Sequence, residues 1–150
     1  MALVTAAQEV PLRSLDASRI KRPTGVGQLT WGLVGDWADG PDAITYSAFF
    51  TARASGLVYC DLDDNATDFD ASSGVTAVNT DFLVCRIDFT DVTNVLFYIN
   101  NARVATATTF AYAATGANAT MQLFASAYKA SGTGVGTLTI DYVRAWQNRT

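Results

Sequence analysis

The sequence predicts an all-β fold, an antiparallel two-sheet β-sandwich or jelly roll, on three observations. From residue 29 onward, about eight short runs alternate apolar and polar residues at fairly even spacing. Turn residues separate these runs, and no apolar pattern of helical period competes with them. The composition agrees: threonine, valine, tyrosine and phenylalanine are plentiful, while Lys21 and Lys129 are the only lysines. A hydrophobic fraction of 49% against 16% charged residues marks a globular chain rather than a disordered one. At 150 residues the chain fits one domain, long enough to bury roughly 68–70% of its unfolded surface without staples.

Residues 1–28 break the rhythm. Pro11, Pro23, Gly25 and Gly27 punctuate them without clear strand alternation, which predicts an extended N-terminal arm ending in the linker "RPTGVGQ". Within it "SLDASRI" suits a helical turn capped by Ser14. The folded domain is then 29–150. It opens with "QLTWGLVG" as a strand, the turn cluster "DWADGPDA", and "AITYSAFFTAR" as a long strand. "LVYCDLD" follows, then the polar segment "DNATDFDASSGVTAVNT". "DFLVCRIDF" and "VLFYIN" are strands joined by a turn at "TDVTN", and the tight turn at Asn100–Asn101 accepts positive φ. "RVATATTF", "TMQLFASAY" and the closing "TLTIDYVRAW" complete the set. Leu83, Cys85, Ile87 and Phe89 share one face, as do Val95, Phe97 and Ile99, which is what one buried face of an antiparallel strand requires.

Charge narrows the partners. Residues 1–22 hold Arg13, Arg19, Lys21 and Arg22 against Glu9 and Asp16, while residues 23–150 hold six basic and twelve acidic residues. An acidic body is a poor match for a phosphate backbone, so nucleic acid is not an expected partner. A basic arm suits an acidic neighbour, including another copy of the chain. "MALVTAAQEVPLR" lacks the basic start and unbroken apolar run of a secretory signal. No stretch reaches the roughly 18–20 apolar residues of a membrane helix. Synthesis in a cytoplasm without membrane insertion is therefore expected. The Asn-x-Thr triplets at Asn65, Asn118 and Asn148 follow from threonine abundance.

Cys60 and Cys85 each alternate with apolar neighbours, so both are expected to face the core. Buried free thiols are one reading and a cross-strand disulfide the other, with the inferred compartment arguing against the latter.

"FLVCRIDFTDVTNVLFYINNARVAT", followed much later by "GTLTIDYVRAWQ", resembles the concanavalin A-like lectin/glucanase superfamily, including laminin G-like modules. The likeness covers residues 82–148 well and 29–62 loosely, and its motifs are structural. It implies a final strand packed within a sheet, with Ile140, Tyr142 and Trp146 architectural and Arg144 in reach of Asp88 or Asp141. The family's glucanases use two glutamates on one strand, about 5–5.5 Å apart. This chain has one glutamate, Glu9, and no histidine, so neither that mechanism nor a histidine triad carries over, and no enzyme is expected. Asp61 and Asp63 could share a strand face as a substitute carboxylate pair, or simply end a strand.

"DLDDNATDFD" is the densest acidic stretch. Asp61, Asp63 and Asn65 fall at alternate positions, as in the opening of a calcium loop. Ala66 stands where the helix-loop-helix type needs glycine, which leaves a looser lectin-type calcium site or a solvated acidic loop. No other cofactor is expected. For carbohydrate, Trp31, Trp37, Tyr46 and Tyr128 are the candidate aromatic platforms, Trp37 foremost because a turn cannot easily bury it, with core packing as the alternative for each.

Jelly rolls are common in coat and appendage proteins, and lectin-like domains occur on phage surfaces. The expected function is accordingly a non-enzymatic virion structural protein, a bacteriophage capsid decoration or tail-associated surface protein. It would dock on coat or tail subunits, and on its own copies, through arm residues Leu12, Arg13, Leu15, Arg19, Ile20 and Arg22. The alternative is a carbohydrate-binding lectin-like module centred on Trp37 and the 61–70 loop.

Overall fold

The computed structural model describes residues 14–21, 27–36, 38, 40–129 and 138–146, with 14–21 and 146 described by backbone alone. The described residues form strands β1 (Ser14–Lys21), β2 (Gln28–Val34), β3 (Ser47–Ala52), β4 (Leu57–Asp63), β5 (Asp68–Thr76) and β6 (Leu83–Asp88). They continue with β7 (Leu96–Ile99), β8 (Ala102–Arg103), β9 (Gln122–Tyr128), β10 (Thr139–Ile140) and β11 (Val143–Trp146). The 3-10 turns Pro41–Ala43 and Gly116–Ala119 complete the elements. Every strand pairing is antiparallel, as the all-β reading requires.

The strands make two sheets. One runs β10–β1–β6–β7–β8, with β11 also paired to β1, and the other runs β5–β4–β3–β2–β9. Alternation explains the core between them. Val58, Cys60 and Leu62 of β4 and Leu83, Cys85 and Ile87 of β6 are buried in a single hydrophobic cluster drawn from both sheets. Aromatic rings bridge the layers: Phe50 of β3 stacks on Trp31 of β2 at 5.8 Å and meets Phe97 of β7 edge-on at 5.3 Å. Each such buried side chain contributes about 1.5–3 kcal/mol before entropy is charged against it.

β2 and β3 are buried on both faces. On the side away from the shared core, Val34 and Phe49 pack with Ile44, and with Ala38 and Phe124. The segment between β2 and β3 thus lies back over the outer face of the second sheet. It limits β3 to Ser47–Ala52 and takes Ile44 out of the long strand expected for "AITYSAFFTAR".

Three further differences have physical causes. The arm expected over 1–28 does not hold for residues 14–21. They form β1, with Leu15 opposite Ala145 and Ile87, and Ile20 opposite Ile140 and Leu83. A strand held on both edges is part of the sheet, so the folded unit begins before residue 29. Of the proposed arm contacts, Leu15, Arg19 and Ile20 lie in β1, while Leu12, Arg13 and Arg22 lie outside the described residues. The polar segment after "LVYCDLD" contains β5, whose Phe69, Ala71 and Val75 pack against the core while its aspartates face outward. "RVATATTF" shrinks to the two residues of β8, since the chain turns at Ala105–Thr108 before Phe110 bridges back to Val95.

The final strand is broken at 141–142 into β10 and β11, both laid on β1. Tyr142, expected to be architectural, is exposed there. The Asn100–Asn101 turn has the predicted positive φ, at 51° and 65°. Both cysteines are buried and free. Burial pushes the Cys85 thiol up to about 12 and Cys60 higher still, so neither supplies a thiolate near neutral pH. No helix among the described residues is long and apolar enough to cross a membrane.

Candidate acidic cleft on the outer sheet face

Because Val58, Cys60 and Leu62 point inward, Tyr59, Asp61 and Asp63 of β4 point outward. In β5 the inward residues are Phe69 and Ala71, so Asp68 and Asp70 point outward as well. The hairpin register sets Asp61 opposite Asp70 and Asp63 opposite Asp68. Four carboxyl groups thus stand in a two-by-two grid, with like charges directly across strands, an arrangement that costs stability.

The turn that closes this hairpin is built by Asp64. Its Oδ1 accepts the backbone N–H groups of Ala66 (3.0 Å) and Thr67 (2.8 Å), and its Oδ2 accepts that of Ala113 (2.9 Å). Desolvation pulls the Asp64 pKa up, but these N–H donors outweigh it and hold the carboxyl below its ordinary value. Asn65 sits at φ 67° and gives its own N–H to Asp63 Oδ1 at 2.7 Å. The turn therefore uses Asp63, Asp64 and Asn65 on backbone groups.

Above the grid lies a cleft of about 300 Å³, walled by Pro41, Asp42 and Ile44 from the overlying segment and by Arg53. Arg53 forms an ion pair with Asp70 and lays its guanidinium over the Tyr59 ring, 3.6 Å from the centroid. Ser47 stands within 3.5 Å of Asp61 Oδ1 as a donor. Burial first, then the carboxylates of Asp68, Asp70, Asp42 and Asp63, push Asp61 up to about 8. Burial also raises Asp63, chiefly, against the Asn65 N–H that lowers it. At neutral pH Asp61 is mostly a neutral carboxylic acid, a donor as well as an acceptor, surrounded by further acidic groups and one arginine.

The structure thus brings together Asp61 and Asp63, both singled out in the sequence, with Asp42, Arg53, Tyr59, Asp68 and Asp70, which were not. The D-x-D spacing on either side of a four-residue turn was the available signal for Asp68 and Asp70. Asn65 belongs to the turn. Among the described residues, no group of three or more His, Cys, Asp or Glu is placed to hold a metal ion. Tyr128 is half-buried at the end of β9, its ring beside Gly40 under the overlying segment, rather than a free platform. Trp37 lies outside the described residues. No known family model matches this chain, and no curated protein matches it significantly in sequence.

Proposed function

We propose that this chain is a non-enzymatic, lectin-like binding module of the concanavalin A-like jelly-roll kind, and that the acidic cleft takes a neutral carbohydrate. The observation that carries the reading is the facing of Asp61 and Asp63 with Asp70 and Asp68 beneath a small cleft. Carboxylates accept hydrogen bonds from sugar hydroxyls, and the protonated Asp61 adds a donor. Pro41, Ile44 and the Tyr59–Arg53 stack supply apolar and flat surface. The surplus of negative charge disfavours anionic ligands.

The test is a panel of neutral and acidic oligosaccharides against the intact chain and its variants. Binding to neutral members, weakened at least about tenfold by Asp61→Ala or Arg53→Ala, is the expected result. Preference for acidic glycans, or no binding at all, overturns it. Release of new reducing ends from a bound oligosaccharide overturns the non-enzymatic part.

A second reading is the virion structural protein, a bacteriophage capsid decoration or tail-associated surface protein among coat or tail subunits. The observation in its favour is an uncharged sheet edge at β9, on the far side of the second sheet from the aspartates. Docking through residues 14–21 has no place in it, since these belong to β1. Copurification of the chain with virus particles tests it.

A further inference from the structure

We propose that β9 is a self-association edge, at which two copies pair β9 against β9 in antiparallel fashion to join their five-stranded sheets. This deepens the assembly reading by naming the partner, yet the two fail separately: a dimer through β9 requires no virion, and a virion protein can be a monomer.

β9 pairs with β2 on one edge, and no described strand lies along its other edge. Natural sheets guard such edges with charge, proline or shortness. The other described edges of this molecule show those devices: β5 carries Asp68 and Asp70, β8 is two residues long, and β11 carries Arg144. β9 is seven residues long, "QLFASAY", without charge, proline or glycine. It lies in a stretch, 104–128, that contains no charged residue in a chain of net charge −4. Two acidic molecules repel least when they meet at their neutral edges.

The side chains agree. Leu123, Ala125 and Ala127 stand opposite Leu33, Trp31 and Leu29, whose side chains are buried in the shared core. Directly opposed residues lie on one face, so these three continue the core face, yet Leu123 is 48% exposed and the two alanines are exposed too. An antiparallel pair centred on Ala125 sets Ala125 against its own counterpart and Leu123 against the counterpart of Ala127. That covers the strip in both copies at once, as an isologous interface requires.

The experiment is the mass of the full chain by light scattering over a dilution series, with Ala125→Lys on β9 and Ser72→Lys on β5 as a control. A dimer for the wild type and for Ser72→Lys, and a folded monomer for Ala125→Lys, is the expected result. Three results overturn the proposal: a monomeric wild type throughout, a dimer that Ala125→Lys leaves intact, or a dimer that depends on residues 1–13 rather than on Ala125. Should Ala125→Lys fail to fold, Ala125→Cys is oxidised instead. A covalent dimer then supports the pairing, and a folded variant that stays uncrosslinked overturns it.

Discussion

Alanine at position 32 is expected to be among the most damaging single substitutions in this protein, lowering stability by about 3 kcal/mol or more. Gly32 lies in β2 opposite Phe49 of β3. A Cβ there would stand 2.5 Å from the Ala48 carbonyl oxygen, 2.5 Å from the Phe49 Cα and 2.6 Å from its Cβ. Two of these are backbone atoms of a strand held on both edges, so no rotamer change relieves the contact. β3 would have to move away from β2, and with it Phe50 from its stack on Trp31. For a chain of this length, each kcal/mol lowers Tm by roughly 2–4 °C, and calorimetry should show a fall of about 6 °C or more. An unchanged Tm would mean that the β2–β3 approach is looser than described.

Asp61→Asn is expected to stabilise the protein at pH 8 and above while changing little at pH 4 or below. The sign follows from linkage. A carboxyl whose folded pKa is raised binds its proton more tightly folded than unfolded, so stability falls as pH rises between the ordinary carboxylate value, near 3.9, and the folded one. For Asp61 that window runs from about 4 to about 8. Asparagine fills nearly the same volume and carries no charge, so its profile should be flatter across the window. Thermal unfolding of both proteins from pH 4 to 9 checks this. Parallel profiles would show that Asp61 ionises freely in the folded state. The same substitution keeps an acceptor in the cleft, which is why truncation to alanine, not asparagine, is the stronger test of ligand contact.

Much of the fold was legible because burial on one face writes itself as alternation. Leu83, Cys85 and Ile87 in β6, and Val58, Cys60 and Leu62 in β4, were placed on the core side from spacing alone, and both cysteines were rightly read as buried. β1 was not legible. "SLDASRIK" alternates poorly, and what makes it a strand is pairing with β6 and with β10 and β11, partners roughly 70 and 120 residues away. Propensity cannot report contacts of that range. β5 was hidden for another reason: its outward positions are Asp68, Asp70, Ser72, Gly74 and Thr76, so an edge strand with one wet face resembled a polar loop. The cleft was half legible. Asp61 and Asp63 stood out by spacing, but Asp42 joins them only because the segment after β2 folds back over the sheet, and Arg53 only because the turn after β3 sets it beside Asp70.

The central claim is that burial beneath the cleft, reinforced by the neighbouring carboxyl groups of β4 and β5, keeps Asp61 protonated at neutral pH. Carboxyl-carbon NMR titration of the intact chain, with the Asp61 signal assigned through Asp61→Asn, measures this directly. The account predicts a midpoint near 8 for Asp61. A midpoint in the ordinary range near 4 would mean separated, solvated aspartates and would contradict it.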